Sequence, residues 1–290
     1  MKIAANSLEA FLAVARTANF SRAAAALNIS QSALSQRILN LENQLETTLF
    51  VRDRSGSRLT PEGERLLHYA QAQESLEEEF LASREKGTGQ ENRLTGSLRA
   101  GGFSSVTRSL LLPALAPIAR EHPVRLSVFS RELAELPDLL RQGEADLILS
   151  DAPLEREGVQ SELIGFEENV LVRSRKAGKK ASDYFLDHDA DDLTTSRYLQ
   201  KFHPARARKF ERRFLDEVYN LIEGVKLGLG QAVVSRHLVE GDKELEFVEP
   251  DKVLKTQVWL HYPAQAYYPR VQVAAREAVA AYAKEKLAAK

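Results

Sequence analysis

The chain has no cysteine in 290 residues, one methionine and one tryptophan. The absence of cysteine excludes disulfides and thiolate metal sites and permits a reducing compartment. No apolar run approaches the ~18 residues that would span a bilayer. The N-terminus lacks the basic-then-apolar layout of a signal peptide. A soluble, cytoplasmic chain with no membrane partner is expected. Excess charge is missing too: 40 basic and 41 acidic residues leave −1 overall, so the whole molecule is not a generic polycation. There is no His-Glu-x-x-His pair, Gly-x-Ser-x-Gly elbow, phosphate loop or dinucleotide fingerprint. His68, His122, His188, His203, His237 and His261 are scattered, and Asp187-His188-Asp189-Ala190-Asp191-Asp192 reads as an exposed acidic turn before it reads as a metal loop. No catalytic residue, metal or cofactor is expected, and an enzyme is the poorest of the readings.

The length suits two or three domains, and a hydrophobic content of 43% supports sizeable cores. Charge is distributed unevenly. Residues 1–60 carry Lys2, Arg16, Arg22, Arg37, Arg52, Arg54 and Arg58 against Glu9, Glu42, Glu46 and Asp53, a local excess of three positive charges. A basic end on a near-neutral chain fits a nucleic-acid module joined to something else.

That end is patterned as helix, short helix, turn, helix. Ser7-Leu8-Glu9-Ala10 reads as a capped start, with Leu8, Phe11, Leu12 and Ala15 forming an apolar stripe. Ser21 is expected to cap a short helix from Arg22 to Leu27. Asn28 suits a left-handed turn, and Ser30 caps a third helix carrying Leu34, Ile38, Leu41 and Leu45. The alanines at 23–26 allow close helix crossing, and the third helix opens with small polar side chains that a major groove can accept. Thr48-Leu49-Phe50-Val51 and Arg58-Leu59-Thr60 are β-prone. They flank Arg52-Asp53-Arg54-Ser55-Gly56-Ser57 and so suggest a hairpin wing.

Thr60 caps and Pro61 opens a long amphipathic helix to about Lys86, whose apolar face (Leu66, Leu67, Ala70, Leu76, Phe80, Leu81) predicts pairing with a second copy, the alternative being packing on its own chain. Gly87-Thr88-Gly89 reads as a hinge. Strand and helix then alternate. Strands are expected near Leu98–Gly102, Val124–Phe129, Asp146–Leu149, Leu163–Gly165, Val170–Val172, Gln231–Val234 and Val253–Tyr262. Helices are expected over Thr107–Arg120, Leu133–Gln142, Leu215–Leu227 and Val271–Leu287. That order predicts an α/β architecture with parallel sheets covered on both faces.

Phe20-Ser21-Arg22-Ala23-Ala24, Leu27, Gln31-Ser32-Ala33-Leu34-Ser35, Ile38, Leu41-Glu42, Leu49-Phe50, Arg52 and Leu59-Thr60-Pro61-Glu62-Gly63 closely resemble the LysR-type transcriptional regulators. Leu112-Pro113, Gly143-Glu144-Ala145-Asp146-Leu147 and Val225-Lys226-Leu227-Gly228-Leu229-Gly230 extend the likeness along the chain. The resemblance implies an N-terminal winged helix-turn-helix, a long linker helix and a C-terminal two-lobed periplasmic-binding-protein-like effector domain. The boundaries expected are 1–60 for the DNA-binding domain, 61–89 for the linker and dimerisation helix and 90–290 for the effector domain. Lobe I falls at about 95–165 and 266–290, and lobe II at about 166–265. The implied partners are double-stranded promoter DNA, a small-molecule or ion effector, RNA polymerase, and further copies of the chain as a homodimer assembling to a homotetramer.

Within that frame Gln31, Ser32, Ser35 and Gln36 match the base-reading positions. A glutamine can bond an adenine edge at two points, and serine adapts to several bases. Ser21, Ser30, Arg37, Arg52, Arg54 and Arg58 are the expected backbone and wing contacts. In the C-terminal region Ser104, Ser105 and Thr107 match the first effector loop, Ser150 and Asp151 the second, and Thr195 in Thr194-Thr195-Ser196 the third. Simple capping competes with each of these hydroxyl assignments. The Asp151 carboxylate favours an amine or cation over an anion, whereas the basic cluster of Arg197, Lys201, Arg206, Arg208, Lys209, Arg212 and Arg213 could draw anions. A ligand-sensing protein whose DNA module has lost function is the alternative reading.

Overall fold

The computed structural model describes residues 2–53, 56–83, 93–176 and 184–287, with the backbone alone at 52, 53, 82 and 83. Arg54 and the Gly87-Thr88-Gly89 hinge lie outside these residues. Three helices begin the chain: α1 (Ala5–Thr17), α2 (Phe20–Ala26) and α3 (Gln31–Leu45). They bury one cluster of Leu8, Phe11, Leu12, Phe20, Ala23, Ala24, Leu34, Ile38 and Leu41. Ala23 and Ala24 are fully packed, so α2 crosses its neighbours with no long side chain in the way. Asn28 has φ 54 in the α2–α3 turn, as its sequence context predicts. The Ser30 hydroxyl accepts from the Ala33 N–H at 3.1 Å and caps α3. Two starts differ from the sequence reading. The first helix begins at Ala5 on an N-cap, Ala4, that makes no side-chain bond, so Ser7 caps nothing there. The second is capped by Asn19, whose side chain accepts from the Arg22 N–H at 3.0 Å. Ser21 thus lies inside α2 with its hydroxyl released for another contact.

The wing is an antiparallel hairpin of β1 (Phe50–Asp53) and β2 (Gly56–Leu59), in register from Phe50↔Leu59 to Asp53↔Gly56. Its root is pinned from α3: Glu42 Oε1 accepts from the N–H groups of Leu49 and Phe50 at 2.7 and 3.3 Å. The Phe50 ring lies 5.2 Å from Phe11 and 5.8 Å from Phe20. Thr60 then accepts from the Gly63 N–H at 3.0 Å and starts α4 (Pro61–Ser83). A Cβ on Gly63 would meet the Leu49 carbonyl oxygen at 2.3 Å, so only glycine lets α4 leave this close to the hairpin.

The remaining elements form the two-lobed region. They are β3 (Gly96–Gly102), α5 (Ser104–Val106) running through a π-type turn at Thr107–Leu111 into α6 (Leu112–Glu121), β4 (Val124–Ser130), α7 (Leu136–Arg141), β5 (Leu147–Ser150), β6 (Val159–Ser174), β7 (Tyr184–Asp187), α8 (Thr194–Phe202), β8 (Glu211–Phe214), α9 (Val218–Lys226), β9 (Ala232–Ser235), α10 (Arg236–Val239), β10 (Leu245–Phe247), β11 (Leu254–Pro263) and α11 (Arg270–Lys286). Strands β4, β3 and β5 are parallel, as the alternating pattern predicts. The sequence reading is corrected beyond them. β6 is one strand of 16 residues where two pieces are expected, and β11 runs antiparallel to both β5 and β6. These two long strands make a continuous sheet ordered β10-β6-β11-β5-β3-β4, with β9 also on β6. Separate cores sit at its two ends. One gathers Leu98, Leu110, Leu115, Leu147, Leu260, Val271 and Val279, and the other gathers Val170, Val172, Leu221, Val225 and Val234. The lobes are thus joined through β6 and β11. Among the described residues no helix is long and apolar enough to cross a membrane.

Candidate DNA-reading face and interlobe cleft

The first turn of α3 presents Gln31 and Ser32 exposed, with Gln36 exposed and Ser35 and Arg37 partly covered on the next turn. The burial follows from helical spacing: Leu34, Ile38 and Leu41 face the core and leave the 31, 32, 35 and 36 edge outward. Gln31 is held: the Ser21 hydroxyl donates to its Oε1 at 3.1 Å. Ser30 and Ser32 hydroxyls lie 3.0 Å apart, and Gln36 Nε2 donates to Asn40 Oδ1 at 2.9 Å. On the hairpin Arg58 is exposed on β2, and the Arg52 backbone pairs with Ser57 across the two strands. Helix N-terminus and glutamine amide are thus exposed together, and the hairpin is tied to the same helix through Glu42. The Glu42 anchor that places the hairpin was not anticipated; the sequence signal was an acidic residue next to Leu41 within the apolar stripe of α3.

In the C-terminal region a cleft of about 570 Å³ lies between the lobes. Ser104, Ser105 and Asp151 reach it from lobe I. Glu167, Asn169, Thr194, Ser235 and Thr256 reach it from the shared strands and lobe II. The lobes touch around it. Ser104 Oγ accepts from the Val218 N–H at 3.4 Å, Arg108 lies 4.1 Å from the Tyr219 ring centre, and His237 Nε2 meets Ser109 Oγ at 3.0 Å. The lining is acidic: Glu132, Asp151, Glu167, Asp189, Asp191, Asp192, Asp216 and Glu217 stand against Arg131, Arg197 and His188. At the mouth, His188 Nε2 is 3.2 Å from Asp216 and 3.8 Å from Glu132.

Three expected effector hydroxyls are not among the residues lining this cleft. Thr107 is buried and donates to the Phe103 carbonyl at 3.0 Å, closing its own turn. Ser150 is buried, donates to the Ala152 carbonyl at 2.8 Å, and lies 2.8 Å from His261 Nε2. Thr195 is fully packed and donates to Asp187 Oδ1 at 2.5 Å, so its neighbour Thr194 faces the cleft in its place. Asp187 also accepts from Arg212 Nε at 2.5 Å, while the Arg212 guanidinium donates to the carbonyls of Asp189, Ala190 and Asp192. Burial still pushes the Asp187 carboxyl up. That clamp takes one member of the basic cluster out of any ligand role. The acidic loop is likewise internally used: Asp189 accepts from the N–H groups of Asp191 and Asp192, and Asp192 from those of His188 and Thr194.

Glu167 was not foreseen. It is 4% exposed, its Oε1 has no hydrogen-bond partner, and burial pushes its carboxyl up to about 7. The nearby Asp151 charge adds to that rise, and hydrogen bonds from Ser235 and Ser105 oppose it. The available signal was the pair Glu167-Glu168 interrupting an apolar strand.

Comparison with known proteins places these features. The model of the "Bacterial regulatory helix-turn-helix protein, lysR family" matches residues 5–64, and that of the "LysR substrate binding domain" matches residues 91–285. The HTH-type transcriptional regulator YofA of Bacillus subtilis (strain 168) is 28% identical over 274 residues, covering 90% of this chain and 87% of YofA. Among solved structures, ArgP from Mycobacterium tuberculosis superposes with a TM-score of 0.78 at 22% identity, covering all of both chains. Full-length LysG from Corynebacterium glutamicum, solved with bound effector Arg, superposes with a TM-score of 0.77 at 17% identity, covering 99% of this chain and 100% of LysG.

Proposed function

The chain belongs to the LysR family of bacterial transcriptional regulators, with a helix-turn-helix DNA-binding domain and an effector-binding domain, and from that premise we propose how its residues divide the work. Gln31, Ser32, Ser35 and Gln36 read base edges from the start of α3. Ser30, Arg37, Arg52, Arg54 and Arg58 hold the phosphate backbone or the adjacent minor groove. Ser21 acts indirectly, by orienting Gln31. The observation that carries this reading is the Ser21–Gln31 bond on an exposed helix start. It limits the rotamers of the glutamine before any base is met and so reduces the ordering cost of a bidentate adenine contact.

The working boundaries are 1–60, 61–89 and 90–290. A row of apolar side chains on α4, with Tyr69 53% and Phe80 64% exposed alongside Leu76, supports pairing of α4 with a second copy and assembly into a homotetramer. An adjoining face of α4 packs on its own chain through Leu66, Leu67 and Ala70. A small effector enters the interlobe cleft. It changes the lobe arrangement, and with it dimer packing and DNA bending, to the extent that it binds one arrangement more tightly than the other. The site of action is the cytoplasmic promoter, where RNA polymerase is the further partner, and no catalytic step is involved. Selection of bound duplexes from a random pool, followed by binding of the selected and a scrambled duplex, tests the reading. A preference of at least tenfold is expected at moderate salt, and equal binding of both sinks it.

A further inference from the structure

Resting on that effector reading, the geometry points to the chemical class of the ligand: Glu167 and Asp151 form an anionic floor that takes a small organic cation, a primary ammonium or guanidinium group, with Glu167 as the specificity-determining residue. Glu167 lines the cleft yet is more than nine-tenths buried, and one of its carboxylate oxygens lacks any partner. A buried acceptor left open is expensive, and structures retain one where a ligand completes it. Among the described residues the basic group closest to this oxygen is His237 Nε2, at 3.9 Å. That nitrogen is engaged by Ser109, and burial pulls the imidazole below its usual range, so it supplies no fixed positive charge. Arg236, the residue before His237, is turned to Glu168 at 3.5 Å. The groups facing Glu167 from the packed elements are thus Ser105 of α5, Asp151 after β5, Tyr219 of α9, Ser235 at the end of β9 and His237 of α10. Arg108 lies against the Tyr219 ring, 4.1 Å from its centre, and Arg131 and Arg197 line the cleft, but among the described residues none of the three forms an ion pair with Glu167. An anionic effector would meet Asp151 and, at its floor, a second carboxyl with no counter-charge. A cation would gain a charge-assisted bond in a dry site at both.

The test is calorimetric titration of the full-length protein, free of DNA, with L-arginine, L-lysine, agmatine and putrescine, and with L-glutamate and succinate as anionic probes. At least one cation is expected to bind with Kd of about 1 mM or tighter and neither anion to bind. Glu167→Gln should weaken the bound cation by about 30-fold or more, and Asp151→Asn, closer to the surface and safer for folding, should weaken it to a smaller extent. Repeating the titration near pH 7 in buffers of different ionisation enthalpy should show proton release on binding, which a merely structural carboxyl would not produce. Binding of an anion alone, silence of all four cations at about 10 mM, or an unchanged cation affinity in Glu167→Gln overturns the assignment. Duplex selection by the wild-type protein is scored separately. Its failure with intact cation binding removes the regulator reading and leaves the cleft chemistry, whereas intact DNA selection with no cation binding removes this inference alone.

Discussion

Glu167 makes a stability prediction independent of any ligand. The cleft holds this carboxyl up to about 7 from its ordinary 4.5, chiefly by burial. Below pH 4.5 the side chain is protonated folded or unfolded and contributes nothing. Between 4.5 and 7 the folded chain keeps a proton that the unfolded chain has lost, so stability falls as pH rises. Above 7 the penalty is constant and amounts to about 3 kcal/mol. Glu167→Gln keeps the shape, removes the ionisation, and leaves an amide that Ser105 and Ser235 can meet. The variant should therefore melt roughly 6–12 °C above the wild type at pH 8, and within about 1 °C of it at pH 4.5. Differential scanning calorimetry of the full chain at both pH values measures this. Equal melting temperatures at pH 8, or a loss of similar size at both pH values, would refute the reasoning, because the first denies that the carboxylate is desolvated and the second makes the residue a packing element.

Other perturbations follow from single contacts. Gln31→Ala should lower discrimination between selected and scrambled duplex by about 1–3 kcal/mol, while Arg52→Ala weakens both about equally; an unchanged specificity ratio in Gln31→Ala counts against the base-reading role. Burial pulls His261 down to about 4, and it sits between the Ser150 and Ser161 hydroxyls as a neutral ring. The unfolded chain gains its proton first as pH falls from 6.5 to 4, so stability should be lost in that window, and His261→Gln should flatten the loss in a series of urea titrations. Gly63→Ala forces a Cβ against the Leu49 carbonyl and should cost about 2 kcal/mol or more, read as a lower melting temperature. Replacing Leu76 and Phe80 with glutamate should shift sedimentation toward the monomer without changing the circular dichroism of the fold.

What the sequence made legible was short-range. Ser30 and Thr60 precede helices and each accepts from an N–H three residues on, a geometry that residue type and spacing encode. Asn19 displaced Ser21 as a cap because two capping residues stand within three positions and only the folded turn decides between them. The same ambiguity touches Thr107, Ser150 and Thr195: a hydroxyl looks alike in sequence whether it meets a ligand or a nearby internal acceptor, and each of these has an internal partner. The β7–β8 pair was illegible for another reason. Glu211-Arg212-Arg213-Phe214 has no apolar alternation and becomes a strand through parallel pairing with Tyr184–Asp187 and the Arg212–Asp187 ion pair. The antiparallel course of β11 and the unbroken run of β6 are tertiary facts; Gly165 interrupts the pattern but sits opposite the irregularity at Val258/Trp259.

The contacts of α4 constrain how a bound effector can be felt at the promoter. Lobe I grips this helix at several points. Gln71 donates to the Gly143 carbonyl at 2.9 Å, Arg125 meets Glu78 at 2.7 Å, and Arg141 and Arg156 both close on Glu64, whose carboxyl burial pushes up despite the two guanidinium groups. Arg99 is tied in turn to Asp146 and to the Gly143 carbonyl, continuing the grip into β3. Lobe II meets lobe I through β6 and β11 and through contacts around the cleft. A ligand that draws the lobes together thus has its compliant element at those two strands and a stiff one at the α4–lobe I junction. On the proposed pairing of copies, the movement reaches DNA by carrying lobe II, relative to its own α4, against a neighbouring copy. Glu64→Gln should then reduce the effector's influence on DNA spacing while leaving the cation's affinity for the cleft within about twofold, because Glu64 lies outside the cleft lining and, among the described residues, shares no ion-pair partner with Glu167. Calorimetry and hydroxyl-radical footprinting on the same preparation separate the two quantities. A matching loss in both would mean that the junction and the cleft move as one body.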